Sequence, residues 1–163
     1  MKTEGLFPPT VGVFIRNYTH YLEEAVRKSE IVFRSSKRWI GVYDQLVKRD
    51  QVCVVYYATV GGGQVIEYKS SLEKVLLDPK AGTLETEEWL ALTPQRTQEN
   101  KEELWEDGMP VRTLYRISEC VKIEPFPMSD LIKMNGGTPL SADYDRGSPV
   151  LVYPQTFPFA KAA

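Results

Sequence analysis

Apolar and polar residues change rhythm several times along this chain, and each change marks an element. After the Pro8-Pro9 breaker, the β-branched and aromatic run at 11–15 (VGVFI) predicts a strand. Residues 19–30 then shift to helical spacing. Tyr21, Leu22, Ala25 and Val26 share one face, Glu23, Glu24, Arg27 and Lys28 fill the other, and Thr19 is placed to cap. Acids early and bases late also suit the helix dipole. A second strand is expected at 31–34 (IVFR), then a short helix or helical turn over 39–51. The strongest strand pattern is QVCVVYYATV at 51–60, which Gly61-Gly62-Gly63 turns back into QVIEYKSSL as a hairpin.

The second half is less regular. TEEWLAL and TQENKEELWED predict two short helices with Trp89, Leu90, Leu92, Leu104 and Trp105 as core contacts. The long run VRTLYRISECVKIEPF predicts a strand whose imperfect alternation implies a bend or bulge near Ser118. A short helix at MSDLIKM, a Gly136-Gly137 loop and a last strand over 150–153 follow, with an irregular, mobile tail after Pro154. The order β-α-β-α-β-β-(α)-β-α-β predicts an α+β fold: a curved mixed sheet or small β-barrel flanked by short helices, not a doubly wound parallel sheet. One domain over 1–163 is expected, since 163 residues with 42% hydrophobic content suffice for one core.

Charge is segregated along the chain although its net value is only −2. Residues 78–107 form an acidic helical insert with nine acids (Asp78, Glu85, Glu87, Glu88, Glu99, Glu102, Glu103, Glu106, Asp107) against three bases (Lys80, Arg96, Lys101). Over 11–58, eight bases (Arg16, Arg27, Lys28, Arg34, Lys37, Arg38, Lys48, Arg49) face five acids (Glu23, Glu24, Glu30, Asp44, Asp50). A nucleic-acid site must therefore be a local patch, because net charge alone would not attract a polyanion. Cys53 and Cys120 stand far apart in apolar runs, which suits buried thiols in a reducing compartment and fits neither a zinc pattern nor a disulfide framework. No run reaches the roughly 18 apolar residues of a membrane span, and the N-terminus lacks a signal-peptide core, so a cytoplasmic protein is expected.

Catalytic signatures are sparse. His20 is the sole histidine and lies in an amphipathic helix without an evident partner, which suits a binding module better than a hydrolytic triad. The triple glycine precedes a strand, not a helix, and so reads as a hairpin turn instead of a phosphate cradle. The acids of the insert have the scatter of a solvated face and not of a metal loop. No cofactor or metal is expected. Tyr56 and Tyr57 point to opposite faces of one strand, so one should face solvent or a groove. Trp39, Tyr43, Trp89, Trp105 and Tyr115 are expected in the core.

The stretch SEIVFRSSKRW raises the sharper question, because a short apolar strand ends there in cations, hydroxyls and an aromatic. A solvated basic loop is the plain reading. Yet serines and aromatics interleave Arg34, Lys37 and Arg38, and Arg16-Asn17-Tyr18 offers a cation, an amide and a phenol at a matching strand end. Amides and hydroxyls read base edges, aromatics stack on base faces and cations hold phosphates.

These segments, VFIRNYTHYLEEAVRKSEIVFRSSKRW and DQVCVVYYATVGGGQVIEY, resemble the PUA-like superfamily, in particular its EVE and YTH branches. The likeness covers roughly the first half of the chain; the acidic insert has no counterpart in it. The resemblance implies a nucleic-acid-binding domain that takes one extruded, often modified, base of DNA or RNA into a pocket. Domains of this kind also serve as specificity modules of McrB-type modification-dependent restriction systems, with motor and nuclease parts elsewhere. Asn17 and Ser35 are the expected edge readers, with Phe33, Tyr57 and Tyr18 as pocket walls. Arg16, Arg34, Lys37 and Arg38 are the expected phosphate contacts. The alternative is a small-molecule-binding or processing domain in which the Arg34-Ser35-Ser36 turn holds a single anionic group.

Overall fold

The computed structural model describes residues 8–105, 110–142, 144 and 147–155. Six strands form one mixed sheet: β1 (Val11–Asn17), β2 (Glu30–Ser35), β3 (Cys53–Thr59), β4 (Val65–Leu77), β5 (Thr113–Pro127) and β6 (Val150–Val152), in the order β2-β5-β4-β3-β1-β6. The expected hairpin is present, Cys53 pairing with Leu72 and Tyr57 with Tyr68, and β4 continues past the expected end to Leu77. β1 pairs with β3 in parallel over its full length, from Val11 opposite Cys53 to Asn17 opposite Thr59. All other strand pairs are antiparallel. The sheet is open, with β2 and β6 at its edges; closure into a barrel by strand pairing does not occur among the described residues.

The sheet nevertheless curls. In the sheet order β1 and β5 are three steps apart, which at roughly 4.8 Å per step would separate them by about 14 Å if flat. Asn17 of β1 and Tyr115 of β5 nonetheless line one and the same cleft. Ile15 of β1, Phe33 of β2 and Tyr115 likewise share one buried cluster with Leu22, Trp39 and Leu46. The curvature has local causes in β5. Ser71 faces Ser118 while Lys69 faces Val121, so β5 carries an extra residue there, and Glu119 adopts a positive φ of 53°. This is the irregularity expected near Ser118, and such a bulge sharpens local twist.

Short helices cover the sheet: α1 (Thr19–Val26), α2 (Ile40–Tyr43) running into a π-helical turn at Asp44–Lys48, α3 (Leu84–Leu90), α4 (Gln95–Glu99) and a 3-10 turn at Lys101–Trp105. In α1 the cap position belongs to Tyr18 and not Thr19, and it makes no side-chain capping bond. The helix also ends at Val26, before Arg27 and Lys28, so its last turn holds no base and its first no acid. The single helix expected over 97–107 is instead α4 and a 3-10 turn broken at Asn100; Glu106 and Asp107 lie outside the described residues. MSDLIKM does not form a helix beyond a 3-10 turn at Met128–Asp130. Leu131 turns extended and fully buried, and the Met134 amide donates to the Leu151 carbonyl, so strand-like pairing with β6 wins over helical propensity. The tail expected to be mobile lies, from residue 156, outside the described residues.

Both faces of the central strand are buried. Tyr57 sits in the cluster under α1 and α2, whereas Tyr56 sits in the opposite cluster with Phe14, Ile66, Phe126, Met128, Leu131 and Val152. The expectation that one tyrosine would face solvent is therefore wrong, because the segment after β5 covers the second face. The insert builds a third cluster, Leu90 and Leu104 packing on Val32, Val111 and Leu114, with Trp89, Leu92 and Trp105 around it. The Leu92 carbonyl also accepts a hydrogen bond from the Val32 amide, which protects edge strand β2 from open pairing. Cys53 and Cys120 are both buried free thiols. Among the described residues no helix is long and apolar enough to cross a membrane.

Two consequences can be measured. A Cβ on Gly12 would lie 2.8 Å from a Val152 methyl and 2.9 Å from the Tyr56 ring, so Gly12→Ala must push β6 or that ring aside. Overpacking of this kind costs about 1–3 kcal/mol, and the thermal midpoint should fall by several degrees in a melting scan. Burial pushes the Tyr56 phenol from 10.0 up to about 12, the hydrogen bond from the Gln155 amide offsetting part of the rise, and burial raises Tyr57 and Tyr115 as well. Because the folded state keeps these protons while unfolded tyrosines lose them, stability is full below about pH 10 and falls as pH climbs towards 12. Urea midpoints measured across that window should drop, and drop less steeply in Tyr56→Phe.

Candidate nucleic-acid interface

The ends of β1 and β2, the tip of the β3-β4 hairpin and the loop before β6 surround a cleft of about 550 Å³. Arg16, Asn17, Tyr18, Arg34, Ser35, Trp39, Gln64 and Tyr115 line it, together with Ile15, Val60, Gly61, Gly62, Ala142 and Gly147. That volume lies within the range of small-ligand sites. Five of the nine expected site residues thus meet around one opening: Arg16, Asn17, Tyr18, Arg34 and Ser35.

The strand-to-turn stretch that looked anomalous in sequence is clamped from below. Ser35 pairs with Thr113 at the end of β2, and the Ser35 carbonyl accepts from the Arg112 amide. The fully buried Thr113 hydroxyl donates to the Lys37 carbonyl at 2.7 Å and accepts from the Trp39 amide at 3.1 Å. The Ser35 Oγ accepts from the Lys37 amide at 3.1 Å, an ST-type turn. Trp39 is thereby laid flat on Tyr115, the rings 4.1 Å apart and inclined by 23°. These two aromatics form the floor. The Trp39 indole N–H is buried and meets no acceptor among the described residues. An unpaired buried donor costs about 1–3 kcal/mol, so this group is a standing demand for an acceptor.

Other polar groups at the rim are already committed. The Arg16 guanidinium donates from Nε to the Tyr144 carbonyl and from Nη1 to the Thr59 carbonyl, both at 2.9 Å, and its Nη2 lies 3.2 Å from the Met128 sulfur. Arg16 therefore ties the loop before β6 to the hairpin while it also lines the cleft. The Asn17 Oδ1 accepts from the Tyr18 amide at 2.8 Å, which orients its amide where it lines the cleft with Tyr115. Arg34 is exposed and makes no ion pair among the described residues.

The remaining expectations are placed elsewhere. Phe33 is 3% exposed and packs against Tyr115 and Tyr21, and Tyr57 is fully buried with its hydroxyl 3.2 Å from the Ser70 Oγ; neither lines the cleft. Side-chain alternation sends both inward. Arg38 pairs with Asp78 at 2.8 Å and lines a separate depression beside β6. Lys37 is exposed near the cleft without lining it. Sequence reasoning missed Gln64 and assigned Trp39 and Tyr115 to the core; they are buried and also form the floor. The register of β2 against β5, Phe33 opposite Tyr115, is the signal that would have found Tyr115.

A second depression of about 340 Å³ adjoins the first, since Tyr18 and Arg34 line both. Its other walls include His20 and Tyr21 from α1 and Arg96, Thr97, Asn100 and Glu103 from the insert. Among the described residues no group of three or more His, Cys, Asp or Glu is arranged to hold a metal ion.

Arg16 should resist even conservative change. Arg16→Lys loses the forked geometry that reaches two carbonyls, and with hydrogen bonds from charged groups worth roughly 1.5–3 kcal/mol it should destabilise by about 2 kcal/mol in chemical denaturation.

No family model matches this chain, and no curated protein matches it. Among solved structures it is similar to a serine-to-alanine mutant of the ZmASCH protein from Zymomonas mobilis, with 11% identity, 92% of each chain covered and a TM-score of 0.50. At that identity the likeness bears on fold alone, here a mixed α+β chain with an open six-stranded sheet and few short helices.

Proposed function

We propose that the protein is a PUA-like nucleic-acid-binding domain that accepts one base, extruded from its strand, into the cleft over Trp39 and Tyr115. The observation that carries this reading is the gathering, around one cleft with the Trp39–Tyr115 stack in its lining, of the Asn17 and Gln64 amides, the Ser35 hydroxyl and the Arg34 guanidinium, which makes no ion pair among the described residues. A nucleotide has the matching parts: a π face, edge acceptors and an attached phosphate. Ser35 can still donate its hydroxyl hydrogen, and Gln64 adds an amide, so edge reading falls to Ser35, Gln64 and the Asn17 amide. Arg34 takes the phosphate. Extrusion costs a few kcal/mol, least for unpaired or altered bases, which favours single strands and modified positions.

The resemblance to EVE and YTH domains extends the proposal to a modified base and to a recognition module of a modification-dependent restriction system. The protein is then a reader and not a catalyst. In support, the cleft gathers amides, hydroxyls and a guanidinium, while His20 lines the adjoining depression instead. One observation favours the rival reading of a small anionic ligand: with Arg16 and Arg38 committed, fewer cations remain for an extended phosphate chain than the sequence implied.

Binding titrations with DNA and RNA oligonucleotides, unmodified or carrying N6-methyladenine or 5-methylcytosine, separate the two. A strand held by Arg34, Lys37 and Arg96 should give a log-log salt slope of about −2, against about −0.7 for one neutralised phosphate. Arg34→Ala should weaken binding about tenfold and Trp39→Phe about fivefold. Absence of binding at low salt to every oligonucleotide would overturn the nucleic-acid reading.

A further inference from the structure

We propose that the depression next to the cleft is a second nucleotide subsite, so that the recognition unit is two adjacent nucleotides of one strand. The inference rests on the nucleic-acid reading above and adds to it the contribution of the acidic insert. Tyr18 and Arg34 line both depressions, so one phenol ring and one guanidinium stand on their common rim. A single cation between two neighbouring cavities matches the single phosphate that joins two neighbouring nucleosides. Tyr18 is 51% exposed for an aromatic residue, and its ring continues into an aromatic series, 5.7 Å from His20, which lies 4.2 Å from Tyr21. Tyr18 and His20 are exposed and Tyr21 is half-buried against the core, so the series offers an anchored stacking platform that tolerates any base.

The far wall comes from the insert. Arg96 is one of only three bases in that acidic segment, and it lines this depression, exposed and without an ion pair among the described residues. Glu103 stands on the same wall. One cation beside one acid admits a nucleotide whose phosphate reaches Arg34 and Arg96 while opposing a dense run of further phosphates. Glu103 thereby limits the strand contacted on the wall that Arg96 shares.

A competition series with oligonucleotides of one to four residues, in DNA and RNA form, reads the site size directly. The expected result is a step of about tenfold in affinity between one and two nucleotides, with smaller steps after it. Arg96→Ala and His20→Ala, both surface changes, should shrink that step to about threefold or less. Lys101→Ala, which removes the same charge from the insert outside the depression, should leave it intact. A mononucleotide that binds as tightly as the dinucleotide, a first large step at any other length, or an equal loss with Lys101→Ala would each overturn the two-nucleotide site while leaving base binding in place. No binding at any length would overturn the base-reading function itself, and this inference with it.

Discussion

The parallel pairing of β1 with β3 is the constraint on which the site depends. Parallel strands cannot be joined by a tight turn, so the chain between them must cross over, and here the crossover comprises α1, β2 and α2. In-register pairing up to Asn17 opposite Thr59 brings the end of β1 to the glycine tip of the β3-β4 hairpin. The Asn17 carbonyl accepts from the Val60 amide at 2.9 Å, extending the ladder into the turn. Gly61 adopts φ +74°, and a Cβ on Gly62 would collide with the Thr59 hydroxyl, so the tip can take this tight path only with glycine. The hairpin returns through β4 to β5, whose bulge curls the sheet until Tyr115 and Asn17 line one cleft.

Polar groups around the cleft divide by whether the fold has already used them. Arg16 and the Asn17 Oδ1 are spent on backbone carbonyls and a backbone amide, and they hold the rim rigid. Among the described residues, Arg34 makes no ion pair and the Ser35 hydroxyl hydrogen is not committed, so both remain available. Such a division is what preorganised recognition requires: donors whose positions are set before a ligand arrives lose little freedom when it binds. A half-buried guanidinium bonded to two carbonyls is a structural device, and its charge alone does not make it a ligand contact.

The insert has two roles that its composition conceals. Its apolar residues, Leu90 and Leu104 foremost, close a core over β2, and the Leu92 carbonyl caps an edge amide of that strand. Its outer surface keeps the described acids in water, where they cost little, and places Arg96 in one depression with Tyr18 and Arg34. The same segment therefore both completes the sheet and shapes one wall beside the cleft.

Local rules made much of this legible. Periodicity placed all six strands, the triple glycine marked the hairpin, and broken alternation near Ser118 marked the bulge. The grouping of Arg16-Asn17-Tyr18 with Arg34-Ser35 also followed from the two strand ends. Alternation by itself did not say which face would be covered, so Phe33 and Tyr57 were expected on the pocket although both lie in the core. Helical spacing in MSDLIKM lost to pairing with β6, a partner far along the chain. Residue type identified the cations but not their partners: Asp78 for Arg38, and the Tyr144 and Thr59 carbonyls for Arg16. The sequence by itself determined the elements and the chemistry at their ends, because those depend on near neighbours. Only the tertiary structure decided which of those groups are spent and which are free, because hydrogen-bond satisfaction and burial are settled between residues distant in sequence and adjacent in space.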